Sequence, residues 1–352
     1  MKISRAIPFL LLSLFVFWAC TESETTETAP QEETEPTDIL FLAGARSHAS
    51  GDHEFFAGCT LLAKALNEQS GLNVRAKVIS GWPDDESVFE GVEAVVIYSD
   101  GTKVVGEGWD KADALAKTGV GLMFMHYAVH PDIPNGEKYF RPWIGGAFET
   151  GYSVNPHWIA DLETMPDHPI GNGIAGPVRA YDEFYYNMRF RDDRDSVLDL
   201  VTAVPRPDDI KRIINLWTQE GYKGVGKRQT LMWGVEREDG GRGVGFTGGH
   251  YHRNWAIDGF RQLVLNAIIW TAGLTVPEQG VVSKPLTVEE LNANLDDYEG
   301  KENPLIPLPD LAELEALPAA ELVDATEHAR RQEEAKQRRR EAARKAKEKA
   351  KR

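Results

Sequence analysis

The chain has 352 residues, a formal net charge of −16 at pH 7, 42% hydrophobic residues and two cysteines. The acidic balance argues against nucleic-acid binding, and two cysteines exclude a disulfide-dense scaffold. The length allows one sizeable domain with appended segments.

Met1–Cys20 has the layout of a secretory signal. Lys2 and Arg5 precede an almost unbroken apolar run, Ala6 to Trp18, which is short for a membrane span. The run ends in Phe17-Trp18-Ala19-Cys20. A small residue before a cysteine suits bacterial lipoprotein processing, with the Cys20 thiol carrying the lipid, although Phe17 and Trp18 are bulkier than usual for a lipobox. The expectation is an exported protein, anchored to the membrane of the cell envelope through Cys20; cleaved secretion and an uncleaved anchor are the alternatives. Residues 21–38 hold seven acidic residues and no basic ones, which predicts a solvated tether.

The domain is expected over residues 39–277. Asp38–Gly44 is an apolar run ending in glycine, the pattern of a buried parallel strand. A polar loop leads to an amphipathic helix over Glu54–Glu68, on which Cys59 falls in line with Phe55, Leu62 and Leu66 as a buried small hydrophobe. Val74–Ile79 and Glu93–Ser99 predict two more strands, Gly108–Thr118 a helix, and Gly121–His126 a fourth strand. Strands alternating with helices predict an α/β fold, a doubly wound and mostly parallel sheet with helices on both faces. The second half is less regular. Strands are predicted over Ser196–Ala203, Thr230–Arg237 and Gly243–Gly248, then a closing helix over Asp258–Ala272. Residues 278–325 read as an extended arm with one short helix near Thr287–Asn294. Residues 326–352 carry twelve Lys or Arg against five Glu, a helical or disordered basic tail of local charge +7, which leaves about −23 for the remainder.

Sheets of this kind bind ligands at the carboxyl ends of their strands. The loops expected there carry Arg46, His48, His53, Glu54, His126, His130, His250 and His252. His126 closes an apolar strand at a sharp turn, where related folds place a nucleophile, and histidine suits proton transfer near neutral pH. If a helix begins there, His130 shares its face. Gly248-Gly249-His250-Tyr251-His252 lets the backbone approach a ligand, and on an extended segment its alternate histidines point the same way. Glu183, after Asp182 and among aromatics, is a carboxylate that burial would push toward catalytic usefulness, a salt bridge being the competing reading. Asn155, His157 and Trp143 offer a polar and aromatic surface for a sugar ring, and Asn254 follows in the glycine-histidine segment. Glu54 alternatively caps the following helix. His126, Glu183 and His250 also leave a divalent metal open, although no compact His-Glu-x-x-His spacing is present.

Phe41–His48, Asp52-His53-Glu54, Met125–His130, Ser153–Trp158, Asp182–Tyr186 and Phe246–Trp255 together resemble ThuA-like (trehalose utilisation) proteins, from about Ile39 to about Val281. The resemblance implies a flavodoxin-like sheet of the class I glutamine-amidotransferase type. It also implies that the parent chemistry is lost, since His126 stands where an amidotransferase needs its cysteine, with no cysteine nearby. The family's association with sugar metabolism, beside dehydrogenases that form 3-keto sugars, suggests the function. The function expected from it is that of an envelope enzyme using His126, His250 and Glu183 as acid and base on an oxidised sugar or glycoside, with Arg46 or a metal stabilising an enolate oxygen. The alternative is a non-catalytic carbohydrate-binding or scaffold protein, favoured if those three residues lie more than about 10 Å apart, beyond hydrogen-bond or single-water reach.

Overall fold

The computed structural model describes residues 35–106, 108–206, 219–297, 304–316 and isolated positions between 330 and 344. Cys20 with its signal-like segment, almost all of the acidic tether and most of the basic tail lie outside the described residues.

Nine strands form one sheet in the order β2-β1-β3-β4-β11-β10-β9-β6-β7. They are β1 (Thr37–Ala43), β2 (Val74–Ser80), β3 (Val92–Tyr98), β4 (Gly121–Met125), β6 (Trp158–Thr164), β7 (Val178–Asp182), β9 (Leu198–Ala203), β10 (Gln229–Glu236) and β11 (Arg242–Phe246). Two short strands, β5 (Gly146–Ala147) and β8 (Arg189–Phe190), pair separately. From β2 through β11 the pairing is parallel; β10, β9, β6 and β7 extend the sheet antiparallel.

The continuous apolar strands are buried on both faces. In β1, Ile39, Phe41 and Ala43 join a core containing helices α1 (Phe55–Glu68) and the long closing helix Asp258–Thr271. Leu40 and Leu42 point the other way, toward helix α2 (Trp109–Lys117) and α3 (Arg141–Ile144). This is the doubly wound α/β arrangement of flavodoxin-like folds, with helices on both faces. Cys59 sits on α1, fully buried in the first core.

The sequence did not predict β6 and β7. They alternate buried and half-exposed residues, with Asp, Glu, Arg and Tyr on the wetter side, and so lack the apolar runs of the parallel strands. Beyond the domain, a one-turn helix, Val288–Leu291, is closed by a capping box between Thr287 and Glu290.

Candidate functional site

The pairing directions place the carboxyl ends of β1, β3, β4, β7 and β11 along one edge of the sheet. The loops leaving these strands meet there. Two of their histidines have left-handed backbone, His53 at φ 55° and His126 at φ 54°. The other non-glycine positions of this kind are Asp or Asn, which tolerate it better. Strain held in this way concentrates at functional sites. At His126 it turns the chain sharply off β4 and drives the ring inward. At His53 the backbone is fixed across the molecule, its N–H donating to the His250 carbonyl at 2.9 Å while Asp52 and Tyr251 form a bridge.

The result is a cluster of His53, His126, His250 and Glu183, whose nearest ligand atoms all lie within 4.8 Å of one another. His53 Nε2 is 2.9 Å from His126 Nε2 and 2.9 Å from His250 Nδ1. Glu183 Oε2 is 3.4 Å from His126 Nε2 and 3.3 Å from His250 Nδ1. Its Oε1 accepts from Asn155 Nδ2 at 2.9 Å and lies 3.5 Å from His157 Nε2. Tyr185 Oη is 3.3 Å from His126 Nε2.

Burial sets the electrostatics. It lowers the imidazole pKa of His53, His126 and His250, and at His53 the neighbouring imidazoles press the same way. Burial raises the Glu183 carboxyl to about 7, against the pull of His157 and the Asn155 amide. His130 is lowered to about 4 by burial.

Asp182 holds one wall in place. Its carboxylate accepts from the backbone N–H groups of Gly249 (2.7 Å), His250 (2.9 Å), Tyr251 (3.2 Å) and Glu183 (2.8 Å). Burial pushes this carboxyl up; His250 and the N–H groups pull it back. The tight passage at Gly249 has φ 114°, and a Cβ there would meet Tyr98 Oη at 3.3 Å and His126 Cβ at 3.6 Å. Sequence reasoning named Asp182 only as the neighbour of Glu183 and not as the anchor of the histidine turn. Tyr185 and the Thr247 carbonyl were also missed, because no local pattern links them to His126.

A cavity of about 610 Å³ opens over the cluster, lined by His48, His53, Tyr127, His130, Phe148, Thr150, Ser153, Asn155, Glu183 and Tyr185. His130 meets its wall at Thr150 Oγ1 (3.0 Å) and Phe148 rather than sharing a helical face with His126, since only a 3-10 turn, His126–Val129, follows β4. A neighbouring cavity of about 560 Å³ is bordered by Arg46, Trp82, Asp100 and Lys103.

Five expected contacts are placed elsewhere. Arg46 faces the neighbouring cavity and donates to the Asp297 carbonyl at 2.7 Å. Trp143 is 2% exposed in the core of the opposite face, its indole donating to Asp113 at 3.0 Å. Glu54 is fully buried and accepts from the N–H groups of Gly51 and Asp296, and it makes no side-chain cap to α1. His252 turns away from His250 because a 3-10 turn, His252–Ala256, begins there in place of extended chain; its Nε2 donates to the Leu291 carbonyl at 2.9 Å. Asn254 donates to the Tyr181 carbonyl at 2.9 Å and is buried.

A doubly wound, mostly parallel sheet with a histidine-carboxylate cluster at its strand ends, and no thiol there among the described residues, defines an α/β protein of flavodoxin-like fold with a candidate acid-base site. The family model described as ThuA, trehalose utilisation, matches residues 43–271, and the chain belongs to this family, with a carbohydrate-related role. Among solved structures, a thua-like protein from Bacteroides uniformis ATCC 8492 is similar at 16% identity and a TM-score of 0.50, over 69% of this chain and 95% of that one. One from Parabacteroides merdae ATCC 43184 matches at 18% identity and a TM-score of 0.48, over 69% and 92%. At such identities the likeness is one of fold. A comparison with curated proteins finds no match.

Proposed function

We propose that the protein is an enzyme acting on an oxidised (3-keto) sugar or glycoside by acid-base chemistry beside the carbonyl. The observation that carries this reading is the convergence of His126, His250 and Glu183, within 4.8 Å of one another, beneath a cavity of about 610 Å³. That volume suits a mono- or disaccharide, and groups in mutual reach favour catalysis over simple binding.

A keto group acidifies the C–H bonds beside it. In the proposed reaction the Glu183 carboxylate, whose Oε1 is aimed by Asn155 and faced by His157, takes such a proton. The Tyr127 and Tyr185 hydroxyls on the cavity wall donate to the keto oxygen as negative charge develops on it, and His126 and His250 lie within reach to take the proton on from Glu183. Tyr127 and His130 line the same wall and offer polar contacts to the sugar hydroxyls. Enolisation of this kind is the common first step of isomerisation or of elimination of a glycosidic oxygen. The envelope location and the anchor at Cys20 are part of the same proposal and rest on the sequence of Met1–Cys20.

The test is proton NMR of a 3-keto glucoside in heavy water with the wild-type protein and its Glu183→Gln and His126→Ala variants. Exchange or conversion in the wild type that falls at least a hundredfold in both variants is expected. No change with the wild type would overturn the keto-sugar chemistry and return the cleft to a binding role.

A further inference from the structure

The outward partners of the three imidazoles favour ring protons that point away from the cluster. His126 Nδ1 faces the Thr247 carbonyl oxygen at 2.9 Å. A carbonyl only accepts, so the ring proton is on Nδ1 and Nε2 presents a bare lone pair to the cluster. On His250 it is Nδ1 that faces inward, while Nε2 lies on the outer side, 3.8 Å from Asp52 Oδ2. His53 turns Nε2 inward and Nδ1 toward Ser47 Oγ at 3.2 Å. His126 and His53 thus have outward hydrogen-bond acceptors for their single protons, and His250 has an acidic neighbour on that side. With the protons outward, nitrogens 2.9 Å apart meet lone pair to lone pair, and Glu183 adds a carboxylate oxygen. Outward Nδ1–H or Nε2–H bonds to carbonyl and carboxylate are also what orient metal-bound histidines.

The distances agree with this. An ion at about 2.1 Å from each ligand sets adjacent ligand atoms about 3.0 Å apart in octahedral geometry and about 3.4 Å in tetrahedral. The close contacts within the cluster run from 2.9 to 3.4 Å. The left-handed backbone at His53 and His126 is a second, independent mark of a constrained site.

We infer that His53 Nε2, His126 Nε2, His250 Nδ1 and Glu183 Oε2 bind one divalent transition cation of the zinc type. Three imidazoles with one carboxylate suit zinc, cobalt, nickel or iron, and disfavour calcium and magnesium, which take oxygen ligands. A second group, His48, His53 and Asp100, also lies within 4.8 Å, but His48 is exposed and Asp100 is already paired with Lys103. Because His53 and Glu183 line the large cavity, a further coordination position faces it, where a ligand oxygen would be polarised. The inference deepens the reading of the site as an enzyme, yet its readout is metal binding and not turnover, so the two can fail separately.

The experiment is metal analysis of the purified full-length protein by mass spectrometry. Titration of chelator-treated protein with Zn²⁺ and Co²⁺ follows, and X-ray absorption at the metal edge reports the ligands. About one equivalent per chain, visible absorption from bound Co²⁺ and an imidazole-rich first shell are expected. His53→Ala, checked for folding by circular dichroism, is expected to weaken Zn²⁺ binding at least a hundredfold, and His130→Gln, outside the four-residue cluster, to leave it unchanged. Wild-type protein that takes up neither ion, or His53→Ala protein that keeps one tightly bound equivalent, would overturn the inference. A shell of oxygen ligands only in the absorption spectrum would do the same.

Discussion

At the scale of single residues, Asp182 is the position on which the most backbone depends. Four N–H groups, from Glu183 and from Gly249 to Tyr251, end on its carboxylate inside the protein. A buried donor left without a partner costs about 1–3 kcal/mol, and relaxation of the turn recovers part of the sum. Asp182→Ala is therefore expected to lose about 3–5 kcal/mol of stability, and Asp182→Asn, which keeps one acceptor oxygen, about 1–3 kcal/mol. Urea unfolding of both variants checks this; an unchanged midpoint for the alanine variant would show that the turn holds itself. The same residues show what could be read in advance. His126 was legible because an apolar strand ends on it, and Glu183 because a carboxylate among aromatics demands a reason. His53 was read as a substrate contact. Its place in the cluster depends on a left-handed backbone and on its backbone N–H donating to the His250 carbonyl, far along the chain, and neither leaves a trace in local sequence.

Elements pack here through glycines on two neighbouring central strands. A Cβ on Gly121 in β4 would stand 2.0 Å from the Thr271 carbonyl of the closing helix, and one on Gly243 in β11 1.9 Å from the Trp143 carbonyl on the opposite face. Backbone, unlike a flexible side-chain tip, cannot step aside. Gly121→Ala is expected to cost about 2–4 kcal/mol in spite of the gain in unfolded-state rigidity that alanine brings. Gly176→Ala, with nothing within 4 Å, is expected to stay within about 0.5 kcal/mol of the wild type. Thermal unfolding of the pair measures the difference, and equal stability would refute the close helix-sheet contact. The parallel half of this sheet was legible in the sequence for the same reason that it is tightly packed. Strands covered on both faces must be apolar throughout, as Leu40–Ala43 and Ala94–Tyr98 are. The antiparallel half was only partly legible. β9 and β10 carry enough apolar residues to be found, whereas β6 and β7 spend alternate positions on Asp161, Glu163, Arg179 and Tyr181 at the sheet's margin.

Across the whole molecule, the segment after Val281 ties distant parts of the domain together. His252 donates to the Leu291 carbonyl, Asn292 exchanges hydrogen bonds with Ile306 at 2.8 and 2.9 Å, and Arg179 on β7 donates to the Leu314 carbonyl at 3.1 Å. Glu54 is the tie nearest the site. One carboxylate oxygen accepts from Gly51 N at 2.9 Å within the first loop, and the other from Asp296 N at 2.7 Å, 242 positions along the chain. The loop that aims His53 is thus fastened from behind by the arm. Two readings of Glu54 then separate cleanly. A residue that contacts substrate can be truncated with stability held within about 0.5 kcal/mol, as for most sites outside the core. A buried carboxylate that satisfies two backbone donors cannot, and Glu54→Ala is expected to cost about 2–4 kcal/mol. Hydrogen exchange locates the effect: the Gly51 and Asp296 amides should exchange at least tenfold faster in the variant, and the strands of the parallel half should change only as far as global stability falls. Unaltered exchange at Asp296 would show that the arm rests on the domain without fastening the loop, and would return Glu54 to the cavity as a ligand contact.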